Sequence, residues 1–367
     1  ELSRERRSPL LMSRCIRDSS FSRSLRFAAA AWVFVRALSG TVAGGEPLPV
    51  APAKPAARIV IVKDPEATVT FQVQPQVIQT MMERAITRLT GKSDVRTAWL
   101  QLVSTQDIVG IKVYSSPGPT SGTHPAVAQA VIEGLLAAGL PATNIIVWDK
   151  QFTDLRLAGY LPLAERYQVR LAGAFQAGYD DDTFYESAIL GNLVWGDWEF
   201  GKSGKGVGRK SFVSRLVSRD MTKIINVVPL LNHNLAGVSG CLYSLTTGSV
   251  DNFARFQSDP DRLATAIPEI YALPALSDRV VLNIVDATIC QYEGSERSLL
   301  HYSTVLNELW VSRDPVALDV LCLQEIERQR SRHGAAPLKP NFDIYANAAL
   351  LELGVSDLKK VEIERLP

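Results

Sequence analysis

Apolar residues in this chain gather into short, β-branched runs, each followed within a few positions by polar or ionisable residues. Five recur: Asp107–Val113, leading through a loop to Thr123 and His124; Asn144–Trp148, then Asp149; Lys223–Val228, then Asn232, His233 and Asn234; Val280–Val285, then Asp286; and Leu309–Ser312, then Arg313 and Asp314. Arg58–Lys63 supplies an opening strand of the same kind. Between these runs the period lengthens. Pro75–Leu89 places Val77, Ile78, Met81, Met82, Ala85, Ile86 and Leu89 at helical spacing behind a proline suited to a first turn. Pro125–Ala138 repeats the pattern and stops at Gly139, Pro260–Tyr271 reads as a helix, and Asp314-Pro315 opens another that runs to about Arg332.

Strand, helix and strand in succession, with crossovers long enough for parallel pairing, predict an α/β fold: a mostly parallel open sheet flanked by helices. The carboxyl ends of neighbouring strands then share one edge, and ligands bind in the crevice outside it. The pattern breaks across 178–219, where aromatic and acidic residues give way to the basic stretch GKSGKGVGRK, so an inserted hairpin and loop are expected there. Val355–Leu366 reads as a short terminal element, and no internal repeat is present.

Length and composition allow one sizeable core: 367 residues, of which 46% are apolar. Charge is unevenly spread. Eight of the 39 basic residues lie within 1–43 against three acids, so the body is slightly acidic, which argues against a nucleic-acid surface. From Met12 an Arg-bearing stretch, the apolar run Phe27–Val35 and the small residues up to Ala43 read as an export signal, with residues 1–11 as upstream sequence; the alternative is a disordered basic tail. The run is too short to span a bilayer. Residues 44–57, rich in Pro, Ala and Gly, read as a linker, and 58–367 as a single domain. A periplasmic location follows as the expectation; export route and oligomeric state stay open.

Cys15 falls in the signal, which leaves Cys241, Cys290 and Cys322 without C-x-x-C spacing. That argues against an iron–sulfur cluster or a thiolate zinc site. Gly196–Ser203 matches G-x-x-x-x-G-K-[ST], yet Gly204, Gly206 and Gly208 follow at once. A phosphate loop needs a helix beginning at its Lys, and glycines oppose one.

Candidate chemistry clusters at the strand ends. His124, ahead of Pro125, is either a ligand or proton relay at a helix start, or a cap. His233, between Asn232 and Asn234, suits ligand binding, against a turn held by Asn side chains. Asp149 and Asp286 are placed to act as acid and base or to bind a hard cation. Asp314 is a ligand candidate whose ordinary alternative is an N-cap before proline. Lys112, in an otherwise apolar strand, must be paired or reach the sheet edge. Thr123, Asp251 and Asn252 complete the set.

GIKVY (110–114), Thr123-His124-Pro125, Trp148-Asp149, KIINVVPLLNHNLAGVSGCLYSLTTGSVDN (223–252), IVDA (284–287) and RDPVALD (313–319) together resemble the bacterial domain of unknown function 362. The likeness runs from about Ile108 to Leu353. The family has no established general activity. Some relatives carry a ferredoxin-like cysteine segment, which this chain lacks. Leu231-Asn232 and Tyr243-Ser244 stand where the family often has Lys-Asp or Lys-Thr, and Lys-Asn, which removes potential anion-binding charges.

The expected function is an exported enzyme acting on a small anionic substrate in the polar crevice, with His124, Asp149, His233 and Asp286 as catalytic candidates. Lys112, Thr123, Asn232, Asn234, Asp251, Asn252 and Asp314 are the candidate ligand contacts. A divalent metal fits the His and Asp set. The alternatives are a periplasmic binding protein without turnover and an accessory protein of an exported redox system.

Overall fold

The computed structural model describes residues 56–367, so the export signal and most of the linker expected from the sequence lie outside the described residues. Its strands, in chain order, are β1 (Ala57–Lys63), β2 (Thr68–Val69), β3 (Gln72–Val73), β4 (Val109–Val113), β5 (Ile145–Asp149), β6 (Arg170–Gly173), β7 (Tyr179–Glu186), β8 (Lys210–Ser214), β9 (Lys223–His233), β10 (Gly237–Val238), β11 (Val280–Gln291), β12 (Ser303–Ser312) and β13 (Val361–Leu366). Among the described residues, nine of them form one sheet in the order β13-β1-β12-β11-β9-β4-β5-β6, with β10 paired to β9. β2 and β3 form a small hairpin, and β7 and β8 form the inserted one.

The fold is α/β with a mixed, mostly parallel sheet. β9, β4, β5 and β6 run parallel, as do β11 with β9 and β13 with β1, whereas β12 is antiparallel to both β1 and β11. Both sheet faces are covered, which explains why the strands read as continuous apolar runs. Along β1, Ile59 and Ile61 enter one core while Val60 and Val62 enter the other. The first core contains the helices Cys241–Ser249, Pro260–Tyr271 and Pro315–Arg332; the second contains Pro75–Thr90 and Pro125–Ala137. No helix among the described residues is long and apolar enough to cross a membrane.

Three strands differ from their sequence reading. β9 continues to His233 and β11 to Gln291, because residues beyond the apolar runs still find ladder partners. Asp286 therefore lies within β11, opposite Leu309, rather than after a strand. The last apolar run belongs to β12, whose antiparallel direction carries its end to the edge opposite the carboxyl ends of β4, β5 and β9. The glycine-rich segment after β10 is a helix, Cys241–Ser249. Its first amides are capped by Asp319, which accepts from Cys241 N at 2.5 Å and Leu242 N at 3.0 Å. Gly240 admits that carboxylate, since a Cβ there would fall 2.2 Å from its Oδ1. Cys241, Cys290 and Cys322 are free and buried.

Candidate functional site

The carboxyl end of β4 carries Lys112, which is wholly buried between β4 and the helix Cys241–Ser249. Its Nζ lies 2.8 Å from Asp149 Oδ1, at the end of the adjacent strand β5. It also donates to Val113 O at 2.7 Å and Ser244 Oγ at 3.2 Å. Burial lowers the Lys112 pKa, and the Asp149 carboxylate opposes the shift. Asp149 is itself saturated: Oδ2 accepts from Ser115 N and Oγ, both at 2.7 Å, and Oδ1 from Lys150 N at 2.7 Å. Lys150 turns back to donate to Thr247 O and Val250 O, both at 3.1 Å, so its cation serves the carboxyl end of the same helix.

Beside this pair opens a crevice of about 270 Å³. Asp149 and Lys150 form part of its wall, with Tyr114, Asp154, Tyr243, Phe253 and Glu296 among the other lining residues. Tyr114 donates its hydroxyl to Glu296, and Gln257 Nε2 donates to Tyr243 Oη at 2.9 Å. Burial holds both phenols well above the ordinary tyrosine range, so they stay neutral. Burial also raises the Asp154 pKa, and the charges of Asp149 and Glu296 push it further the same way.

His124 and Asp286 form a second buried unit, on the opposite face of the sheet from Lys112 by strand alternation. His124 Nδ1 lies 2.7 Å from Asp286 Oδ2, which also accepts the His124 backbone N–H at 2.9 Å, and Thr288 Oγ1 donates to Asp286 Oδ1 at 2.6 Å. Burial works against the imidazolium, but the Asp286 charge and hydrogen bond outweigh it, so the His124 pKa is raised. The Asp286 pKa is lowered, because His124 overcomes the desolvation that would raise it. His124 Nε2 is buried without a hydrogen-bond partner. Neither residue lines the crevice beside Lys112.

The remaining candidates are spread out. Thr123 Oγ1 joins the residue after β4 to β9, accepting from Tyr114 N at 3.0 Å and donating to Val227 O at 2.8 Å. His233 Nδ1 accepts from Ala236 N at 3.0 Å and Leu235 N at 3.3 Å, which caps the turn between β9 and β10. Its proton therefore sits on Nε2 when the ring is neutral, and burial lowers its pKa. The ring packs on Tyr243 with centroids 4.2 Å apart. Asn232 accepts from Ser295 N at 3.0 Å and donates to Asn234 Oδ1 at 3.3 Å. These bonds tie the turn to the loop that carries Glu296.

Asp251 and Asn252, expected at a ligand, hold the insertion instead. Asp251 accepts from Phe212 N at 2.5 Å and Trp198 N at 2.7 Å. Asn252 Nδ2 donates to Gly208 O at 3.0 Å and Lys210 O at 2.9 Å. Asp314 is an N-cap, accepting from Ala317 N at 2.8 Å and also from Val355 N at 2.9 Å. It borders a larger cleft of about 550 Å³ at the far edge of the sheet, away from the other candidates because β12 runs antiparallel.

The His and Asp candidates do not converge as metal ligands. Among the described residues, Asp180, Asp181 and Asp182 alone bring three such ligand atoms close together, and Arg219 already pairs with all three carboxylates. Sequence reasoning missed Tyr114, Lys150, Asp154, Tyr243 and Glu296. Ser244 and Gly248, one helical turn apart opposite Lys112, carried a signal; Glu296, in a loop of small polar residues, carried none.

The model of the family described as domain of unknown function (DUF362) matches residues 109–324, more than half of the chain. The chain belongs to this family. Its DUF362 stretch spans β4 to β12 and ends within the helix Pro315–Arg332, so it contains the whole crevice. No curated protein matches the chain. Among solved structures it is similar to a Thermotoga maritima protein, a target of the Northeast Structural Genomics Consortium. The two are 12% identical with a TM-score of 0.40, and the match covers 71% of this chain and 59% of that one.

Proposed function

We propose that this DUF362 protein binds a small organic cation, a protonated or quaternary amine, in the crevice beside the Lys112–Asp149 pair. The observation that carries this reading is the state of charge in the wall. Lys112 is spent on Asp149, Val113 O and Ser244, and Lys150 on the carbonyls of Thr247 and Val250. Asp154 and Glu296 have no cationic partner within ion-pair distance among the described residues, and their mutual field contributes to the raised pKa of Asp154. A ligand cation is the missing counter-charge. The rings of Tyr114, Tyr243 and Phe253 supply the aromatic faces that favour an ammonium group.

This sign differs from the anionic substrate expected above. The difference agrees with Tyr243-Ser244 standing where the family often has Lys-Asn. A cavity of about 270 Å³ suits a compact ligand. Export to the periplasm is part of the proposal, on the strength of residues 1–43.

Calorimetric titration with a panel of small amines and size-matched carboxylates tests the reading, with Glu296→Gln and Asp154→Asn as variants. Amines are expected to bind and to lose about tenfold or more in affinity when either carboxylate is neutralised. Preferential binding of the carboxylates, or amine binding indifferent to both substitutions, overturns it.

A further inference from the structure

The insertion between β7 and β8 is turned inside out with respect to charge. Its two central acids face inward: Asp197 accepts from Val194 N at 2.8 Å and Asn252 N at 3.1 Å, and Glu199 accepts from Gly208 N at 2.8 Å. Its large apolar side chains face outward, with Trp195 75% exposed, Leu190 63%, Val194 61% and Phe200 49%. Two consecutive turns, closed by Asp197 N to Val194 O and Phe200 N to Asp197 O, both at 3.0 Å, keep Val194, Trp195 and Phe200 within one short stretch. Lys202, Lys205 and Arg209 follow, all exposed. Lys202 Nζ lies 4.9 Å from the ring of the half-buried Trp198, within the same short stretch.

From this arrangement we infer that the insertion is a docking surface for an anionic lipid bilayer. Trp and Phe on a loop tip enter the headgroup boundary, and a basic rim meets the negative surface potential. A protein interface would gain from acids on the rim as well as bases, whereas here both central acids are withdrawn into backbone hydrogen bonds. Gly201, Gly204 and Gly206 have positive φ and open space where a Cβ would stand, so the basic stretch has room to conform to a surface. Asp197 bonds Asn252 N and Asp251 bonds Trp198 N, so the docking loop is fastened to the segment that follows the crevice-lining helix end.

The test is sedimentation of the full chain with vesicles of phosphatidylcholine alone and of phosphatidylcholine mixed with phosphatidylglycerol, at low and high salt. Wild type is expected to bind the mixed vesicles and to be released by salt. Trp195→Ser/Phe200→Ser and Lys202→Gln/Lys205→Gln are each expected to weaken the partition coefficient by about tenfold, with thermal unfolding unchanged because all four side chains are exposed. Failure of wild type to bind mixed vesicles overturns the inference, as does equal binding to phosphatidylcholine alone, or undiminished binding in both double variants. A dimer in gel filtration that Trp195→Ser/Phe200→Ser dissolves, without vesicle binding by wild type, reassigns the patch to a second copy of the chain.

Discussion

Gly248 stands against the side chain of Lys112 so closely that a Cβ at that position would fall 2.3 Å from Lys112 Cε. Glycine inside a helix costs about 1 kcal/mol relative to alanine, so its presence in Cys241–Ser249 has a packing reason. Gly248→Ala is therefore expected to destabilise the protein by about 1–3 kcal/mol through overpacking, although alanine is the better helix former. Urea unfolding checks this; a gain in stability would show that the Lys112 stem moves aside without cost.

The Lys112–Asp149 pair predicts an asymmetry between single and double substitution. Lys112→Met leaves a buried carboxylate without its cation, and Asp149→Leu leaves a buried cation; each is expected to cost about 3–5 kcal/mol. The double variant Lys112→Met/Asp149→Leu should be less destabilised than the sum of the two. A double-mutant cycle in denaturant reads that coupling directly.

His124 and Asp286 make stability depend on pH from both sides. The His124 pKa is raised above 6.5, so its contribution is fully present below 6.5 and is lost as pH rises through the higher folded value. The Asp286 pKa is lowered below 3.8, so its contribution is present above 3.8 and is lost as pH falls through the lower folded value. The stability difference between wild type and His124→Leu/Asp286→Leu should therefore be most favourable to wild type between pH 3.8 and 6.5 and shrink on either side. Thermal unfolding across that range tests it; a difference that grows steadily towards alkaline pH would refute the charged pair.

Asp251 latches the insertion through the amides of Trp198 and Phe212. Asp251→Ala orphans both donors and is expected to cost about 1–3 kcal/mol. Opening should concentrate in the loop 187–209, so limited proteolysis is expected to cut there faster than in wild type while cleavage of the sheet stays slow. Uniform acceleration along the chain would mean that the latch supports the whole domain.

What the sequence determined by itself was the class of fold and the family. Runs such as VGIKV and IIVWD are buried on both faces and mostly apolar because helices cover both sides of the sheet, and that constraint is local enough to read residue by residue. The break at 178–219 was equally readable, because its aromatic, acidic and glycine-rich composition departs from the strand pattern, and β7 and β8 do form a separate hairpin there. Only the tertiary structure decided which polar residues meet. Strand direction is set by pairing between distant segments, so the antiparallel β12 sends Asp314 to the far edge of the sheet. Face is set by register, so His124 and Asp286 lie on the side opposite Lys112, although all follow or lie within apolar strands. The crevice itself is assembled by loops such as the one carrying Glu296, whose place depends on long-range bonds like Ser295 N to Asn232 Oδ1 and on no periodicity that a sequence displays.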